Sequence, residues 1–182
     1  MPGPAFATGD SVALHPIEDD DHEFLQYGRN HPRTRKPLTE TTIRSVDEVP
    51  ETLGDYHFLV CADGPEATTG YGPEDGPEPV GVVAFAYTRG TDSGSLMYWV
   101  APEHQGNGYA SEAVELFLAY AFREVGFHKA TARVLVTNEP SVALLESLGF
   151  EREGRFREEQ FVDGEWTDAY QYGVLADDWL AD

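Results

Sequence analysis

The chain has few basic residues. It contains 12 lysines and arginines against 33 aspartates and glutamates, which gives a formal net charge of −21, and the only lysines are Lys36 and Lys129. Because the chain has no basic face to displace the counterions of nucleic acid, we exclude nucleic-acid binding. An acidic surface repels itself in dilute buffer, but at about 1 M salt the screening length falls to roughly 3 Å. The composition therefore predicts an acidic, halophilic protein.

Cysteine and long hydrophobic runs are also scarce. Cys61 is the single cysteine, which excludes an internal disulfide, and its place in the apolar run 58–61 predicts a buried side chain. No apolar run reaches the roughly 18 residues of a transmembrane helix, and the first residues lack the pattern of a signal peptide. The six histidines show no metal-ligand spacing. We therefore expect a cytoplasmic protein with no membrane partner and no metal.

Strand and helix patterns alternate along the chain without an internal repeat. Alternation and turn residues predict strands at 11–16, 56–61, 79–87, 94–100, 130–136, 150–162 and 166–175. Helical spacing predicts helices at 18–27, 40–46, 106–125 and 139–148. Residues 63–79 are rich in glycine, proline and acid, which predicts a flexible loop. These elements indicate a single mixed α+β domain over residues 1–182.

The turn that follows the predicted strand 94–100 carries the most informative motif. The strand stops at Pro102, the chain turns through Gly106 and Gly108, and an amphipathic helix follows with no lysine or arginine in the turn. The N-terminus of a helix presents free backbone N–H groups, which bind phosphate. Since glycine has no Cβ, an anion can approach the backbone closely there. The motif therefore indicates a phosphate-binding turn.

The spacing of this turn, Gln105-x-x-Gly108-x-Ala110, resembles the pyrophosphate loop of the GNAT superfamily of acyl-CoA N-acyltransferases, Gln/Arg-x-x-Gly-x-Gly/Ala. The resemblance runs over essentially the whole chain. It implies the GNAT fold, with a central, mostly antiparallel twisted sheet of about seven strands, a splayed parallel strand pair and about four flanking helices. It also implies acetyl-CoA as cosubstrate and an amine as acceptor.

A second string supports the same family. Asn138-x-x-Ser141 is followed by Leu-Gly-Phe at 148–150 and Glu-Gly at 153–154, which resembles the ribosomal-protein N-acetyltransferase (RimJ/RimL) branch. Taken alone, the string describes only a capped helix, because asparagine is a good N-cap and glycine ends helices. Two matched strings in the right order, separated by one strand, favour the family.

The resemblance implies a set of site residues. Contacts to acetyl-CoA are expected from the strand end, the turn and the next helix start: Trp99, Val100, Gln105, Gly106, Asn107, Gly108, Tyr109, Ala110 and Asn138. Backbone N–H groups of Trp99 and Val100 would polarise the thioester carbonyl as an oxyanion hole does. Ser141 would donate a proton to the CoA thiolate, or serve only as a first-turn residue of its helix.

The general base is where the chain departs from the family pattern. Gln160 stands where this branch often carries an acid, and glutamine cannot accept a proton. In a regular strand Glu158 shares the face of Gln160, while Glu159 points the other way unless a bulge exchanges them. We therefore predict Glu158 as the candidate catalytic base, with a solvated surface charge as the alternative.

The lack of an acid at position 160 affects which amine the protein is expected to acetylate. Deprotonating an α-amine at pH 7 costs roughly 1 kcal/mol, whereas a lysine ε-amine costs nearly 5 kcal/mol. This favours a protein N-terminal α-amine, with a small-molecule amine or a non-catalytic acyl-CoA sensor as alternatives. The chemistry leaves monomer and homodimer both open.

A basic cluster lies in the first third of the chain. It consists of Arg29, Arg33, Arg35 and Lys36. These side chains could bind a carboxylate-bearing acceptor or the CoA 3′-phosphate, or pair with acids such as those at 19–21.

Overall fold

The computed structural model describes residues 2–62 and 77–181, which form one sheet of eight strands flanked by helices. The strands are β1 Ala7–Thr8, β2 Val12–Pro16, β3 His57–Ala62, β4 Glu78–Arg89, β5 Ser93–Val100, β6 Lys129–Leu135, β7 Glu151–Val162 and β8 Glu165–Leu175. The helices are α1 His22–Asn30, α2 Pro32–Arg35, α3 Tyr109–Tyr120, α4 Glu139–Ser147 and α5 Ala176–Ala181. The α+β class expected from the sequence is confirmed.

The sheet has the order β1-β2-β3-β4-β5-β6-β8-β7. Neighbouring strands are antiparallel except β5 and β6, which pair in parallel only at Gly94 with Ala130 and at Ser95 with Thr131. Beyond this contact the two strands separate. The expected splayed pair is therefore present, and the eighth strand is the two-residue β1, which pairs with β2.

The two faces of the sheet bury different cores. One core packs Phe117 and Leu118 of α3 and Leu145 of α4 against the sheet. The other packs Phe24 and Leu25 of α1 against the opposite face, together with Cys61, which is buried and free as predicted. Since residues of a strand alternate between faces, the central strands β3, β4 and β5 contribute buried side chains to both cores.

The prediction of a helix at 40–46 is wrong. This segment is irregular, and the nearby helical turns are α2 and a 3-10 turn at Val46–Glu48. The side chain of Asn30 both accepts from the N–H of Arg44 and donates to its carbonyl oxygen, at 3.1 and 2.8 Å. These bonds satisfy the backbone N–H and carbonyl oxygen of Arg44 without helical hydrogen bonds.

The other boundaries differ at the ends of elements. The predicted helix 106–125 is α3 followed by a π-helical turn at Ala121–Val125, and it starts only after Gly108. The predicted loop 63–79 falls mostly on residues outside those described, but its last residues, from Glu78, belong to β4. Among the described residues, no helix is long and apolar enough to cross a membrane.

Candidate active site

A cavity of about 600 Å³ lies where β5 and β6 separate. Its walls come from residues 95–100 of β5, residues 132–135 of β6, the start of α4, and the segment that begins at α2. Leu38 and Trp99 belong to the α1 face and Leu144 and Leu145 to the α3 face. The cavity therefore connects the two faces of the sheet through the gap between the strands.

The glycine-rich turn closes one side of this cavity. Gly106 and Gly108 have positive φ angles of 89° and 81°, and a Cβ at either position would meet nothing within 4 Å. Gly108 is the N-cap of α3, so the N–H groups of Tyr109 and Ala110 have no acceptor within the helix. The turn thus offers open backbone and free donors, which suits a pyrophosphate.

Side chains hold the turn in shape. Gln105 Nε2 donates to the Val100 carbonyl oxygen at 3.0 Å, and Asn107 Nδ2 donates to the His104 carbonyl oxygen at 3.0 Å. Gln105, Gly106 and Ala110 line the cavity, whereas Asn107, Gly108 and Tyr109 do not. Gln105 and Asn107 therefore act on the turn itself.

The backbone N–H groups of Trp99 and Val100, both expected to face acetyl-CoA, point in opposite directions in the structure. The Ala101 N–H bonds the Val80 carbonyl on β4 at 2.8 Å, and backbone direction alternates along a strand. The N–H of Trp99 therefore also faces β4, while those of Tyr98 and Val100 face the gap towards β6. The Trp99 indole lines the cavity instead, packed against Phe24 with ring centroids 5.4 Å apart.

The hydroxyl groups of Tyr98 and Ser141 meet across the gap. Tyr98 is on β5 and Ser141 is in the first turn of α4, and their oxygens lie 2.5 Å apart. Burial raises the pKa of Tyr98 to about 12. Asn138 caps α4, with its Oδ1 accepting the N–H of Ser141 at 3.4 Å. The sequence pairs Asn138 with Ser141 but contains no signal that connects either residue to Tyr98.

The final hairpin does not place the acids as the sequence predicted. Phe156 pairs with Ala169 and Gln160 with Thr167, so residues 157–159 bulge opposite Asp168 alone. Glu158 takes a positive φ of 50° and is exposed. Gln160 lines the cavity and Glu158 does not. The regular strand on which the choice of Glu158 rested is absent, because the bulge turns its side chain to solvent.

Glu159 and two residues of the basic cluster form ion pairs. Glu159 Oε1 accepts from Arg133 Nη1 at 2.7 Å. Arg29 pairs with Glu40 at 3.0 Å and Lys36 with Asp163 at 2.5 Å, rather than with the acids at 19–21.

Arg33, another member of the basic cluster, donates a hydrogen bond from Nη2 to Gln105 Oε1 at 3.1 Å. This bond connects the α2 segment to the glycine-rich turn.

The charge of the cavity wall is opposite to that of the whole chain. Among the described residues that line it, the side chains with a permanent charge are Arg33 and Arg133, and none is an aspartate, a glutamate or a lysine. His104 also lines it, with its buried Nε2 lying 3.6 Å from Glu78 Oε1. In the part of the chain that the structure describes, no group of histidine, cysteine or acidic residues could hold a metal ion.

Comparison with known proteins gives consistent matches. The acetyltransferase (GNAT) domain matches residues 11–151. The spermidine N(1)-acetyltransferase of Vibrio cholerae serotype O1 is 37% identical over 176 residues, 93% of this chain and 95% of that protein. The crystal structure of the Vibrio cholerae spermidine N-acetyltransferase in complex with CoA and spermine is similar, with a TM-score of 0.78 and 24% sequence identity. The match covers 93% of this chain and 98% of that one, and the two share the GNAT fold that the sequence predicted.

A partial match concerns the RimJ/RimL branch. The putative ribosomal N-acetyltransferase YdaF of Bacillus subtilis is 34% identical over 82 residues, 45% of each chain. Because less than half of either chain is aligned, the branch that the Asn138-x-x-Ser141 string indicates stays a prediction.

Proposed function

The chain belongs to the GNAT acetyltransferase family and is an acetyl-CoA-dependent N-acetyltransferase, and we propose that its acceptor is the α-amine of a peptide or protein N-terminus. The observation that carries this proposal is the composition of the cavity wall, where the described residues include no carboxylate. A site without a carboxylate base favours an amine that loses its proton readily. The α-amine fulfils this, since its pKa is about 7.7–8.0.

We propose the following placement of the donor. The N–H groups of Tyr109 and Ala110 bind the pyrophosphate, helped by the open backbone at Gly106 and Gly108. The pantetheine arm lies in the gap between β5 and β6, with the Val100 N–H directed at the thioester carbonyl. Asn138 and Ser141 then lie beside the arm at the start of α4. Acetyl-CoA supplies the activated acyl group to the amine.

The acceptor enters from the α1 face in this placement. Arg33, Thr34 and Leu38 line that side, together with Arg133 and Gln160. An acceptor peptide carries one positive charge at its N-terminus and becomes neutral on losing a proton. Its neighbouring carboxylates or carbonyl groups can accept hydrogen bonds from the two guanidinium groups.

The wall chemistry disfavours a polyamine. A polyamine keeps further positive charges after one amine has reacted, and two unit charges about 6 Å apart repel by roughly 3 kcal/mol at an effective dielectric constant of 20. Arg33 and Arg133 are the permanent charges of the described wall. Glu159, which lies outside the wall, pairs with Arg133 at 2.7 Å and offsets part of its charge, so Arg33 contributes most of this repulsion.

A small-molecule amine is the second candidate. The relative named as a spermidine N(1)-acetyltransferase aligns over 93% of this chain, and the net charge of −21 attracts cations to the protein at low salt. Ribosomal protein is a finer version of the first candidate, supported by the Asn138-x-x-Ser141 string and by the partial match to YdaF.

The test is a thiol-release assay with acetyl-CoA in about 2 M KCl, where the acidic surface is screened. The acceptors are a lysine-free peptide with a free N-terminus, a lysine-containing peptide with a blocked N-terminus, and spermidine. We expect turnover on the free N-terminus and acetylation of that amine by mass spectrometry. Turnover on spermidine with none on the free peptide would replace the first candidate with the second.

A further inference from the structure

The hydrogen bond between Tyr98 and Ser141 lies in the gap that the proposed placement assigns to the pantetheine arm. Both residues line the cavity, and their oxygens are 2.5 Å apart. They come from different elements, β5 and α4, which are adjacent here only because β5 and β6 separate. In the proposed placement this hydroxyl pair lies beside the thioester end of the pantetheine arm.

The direction of this bond follows from the chemistry of the two groups. The distance fits either hydroxyl as donor. We assign Tyr98 as the donor and Ser141 Oγ as the acceptor, because a phenol is a stronger hydrogen-bond donor than an aliphatic alcohol. The Ser141 proton is then free to point into the cavity. The N–H of Ser141 is held by Asn138 Oδ1, so the position of the serine is defined from both sides.

We propose that Tyr98 is a positioning residue for acetyl transfer, whose hydroxyl holds Ser141 so that the serine proton points at the sulfur of the departing CoA. The proposal rests on the proposed placement of acetyl-CoA. Tyr98 need not touch the substrate, because it acts through Ser141.

The reaction balances without a net proton transfer from this pair. The amine nitrogen forms a bond to the acetyl carbon and releases its proton to water, and the C–S bond breaks with its electron pair on sulfur. Ser141 donates a hydrogen bond to the thiolate, which is later protonated from solvent. Because Tyr98 has a pKa of about 12 and a thiol has one near 8.5, the tyrosine keeps its proton.

A titration of bound CoA tests this directly, since it needs no acceptor. The ultraviolet absorbance of the thiolate reports the pKa of the CoA thiol in complexes with the wild type, Tyr98→Phe, Ser141→Ala and the double variant. We expect each single variant to raise this pKa by about one unit, a tenfold loss of thiolate stabilisation, and the double variant to raise it no further. Tyr98→Phe keeps the ring and its packing.

The matched control is Tyr120→Phe, which removes a phenol hydroxyl from the same core but outside the cavity wall. It should leave the thiol pKa unchanged. A Tyr98→Phe complex with the wild-type thiol pKa would overturn the proposal, and so would shifts that add in the double variant.

Kinetics separate positioning from packing. We expect Tyr98→Phe to lower kcat about tenfold with the KM for acetyl-CoA within about twofold of the wild type. A raised KM with an unchanged kcat would instead assign Tyr98 a purely structural role. Failure of the α-amine proposal is distinguishable, because it would abolish peptide turnover while the thiol titration still distinguished Tyr98→Phe from the wild type.

Discussion

Gly108 combines a backbone requirement with the pyrophosphate-binding role that we propose for its turn. Its φ of 81° lies in the left-handed region, where a residue with a Cβ costs about 1–2 kcal/mol. Gly126, at the end of the π-helical turn, has a nearly identical φ of 85° and equally open surroundings. The two glycines therefore share the strain of substitution, but only Gly108 lies at the N-terminus of α3.

We predict that Gly108→Ala raises the KM for acetyl-CoA about tenfold, because the new methyl group meets the pyrophosphate. Gly108→Ala and Gly126→Ala should lower the melting temperature by similar amounts, but Gly126→Ala should leave the KM for acetyl-CoA unchanged. Steady-state kinetics and thermal unfolding of both variants check the prediction. An equal rise of KM in the two variants would mean that strain, and not the approach of the phosphate, is responsible.

Gln160 occupies the cavity wall where a base would be useful. We predict that Gln160→Glu raises kcat/KM for a lysine ε-amine about tenfold relative to an α-amine, because the ε-amine gains most from a base. The gain is smaller than that of an evolved base, since Arg133 lies in the same wall and stabilises the new carboxylate. The ratio of kcat/KM for the two amines is the measurement.

The control for this variant is Glu158→Gln, which removes an exposed carboxylate outside the cavity wall. Its activity should stay within about twofold of the wild type. A large loss in Glu158→Gln would restore Glu158 as the base and require the bulge to rearrange when substrate binds.

At the scale of elements, the bulge of β7 decides which side chain reaches the cavity. Asp168 supports the bulge by accepting the Glu158 N–H at 2.8 Å and Arg155 Nε at 2.6 Å. The bond from the Glu158 N–H, and then that from Arg155, holds the pKa of Asp168 below its usual range. A lowered pKa means that this support is complete above about pH 4 and is lost as the pH falls through the pKa of the folded protein.

We predict that Asp168→Ala lowers the melting temperature near neutral pH and raises the KM of the acceptor several-fold, because Gln160 loses its fixed register. Asp168→Asn keeps an oxygen acceptor for the Glu158 N–H and should behave closer to the wild type. Thermal unfolding from pH 7 down to pH 3 should show the gap between wild type and Asp168→Ala closing as the pH falls. A gap that is as wide at pH 3 as at pH 7 would contradict the ionic support.

Most elements were predictable because their patterns are local. The strands at the sheet centre, α4 and the hairpin turn at Asp163 and Gly164 follow from alternation, helical spacing and turn residues. The absence of a helix at 40–46 was not predictable, because the side chain of Asn30 binds the backbone of Arg44 from outside this irregular segment. The bulge of β7 depends on Asp168 in the partner strand, which no window around residues 157–159 contains.

At the scale of the whole molecule, the net charge of −21 acts against the compact state. We predict that the melting temperature rises by roughly 5–10 °C between 0.1 M and 2 M KCl, with most of the rise below about 1 M, where the screening length shrinks to roughly 3 Å. Sucrose is the control, since it stabilises by exclusion and does not screen charge. A melting temperature independent of KCl would contradict a salt-adapted surface.

The sequence by itself determined the parts of this protein whose physics is local. The glycine-rich turn and the helix after it predict a phosphate site, because free N–H groups at a helix N-terminus need only backbone conformation. Asn138 and Ser141 were likewise recognised as neighbours within one capped turn. Tertiary structure alone decided that Tyr98 bonds Ser141, that Gln160 rather than Glu158 reaches the cavity, and that the wall of an acidic protein presents arginines. Each of these depends on the separation of β5 from β6 or on a register shift between strands, which bring together residues distant in the chain.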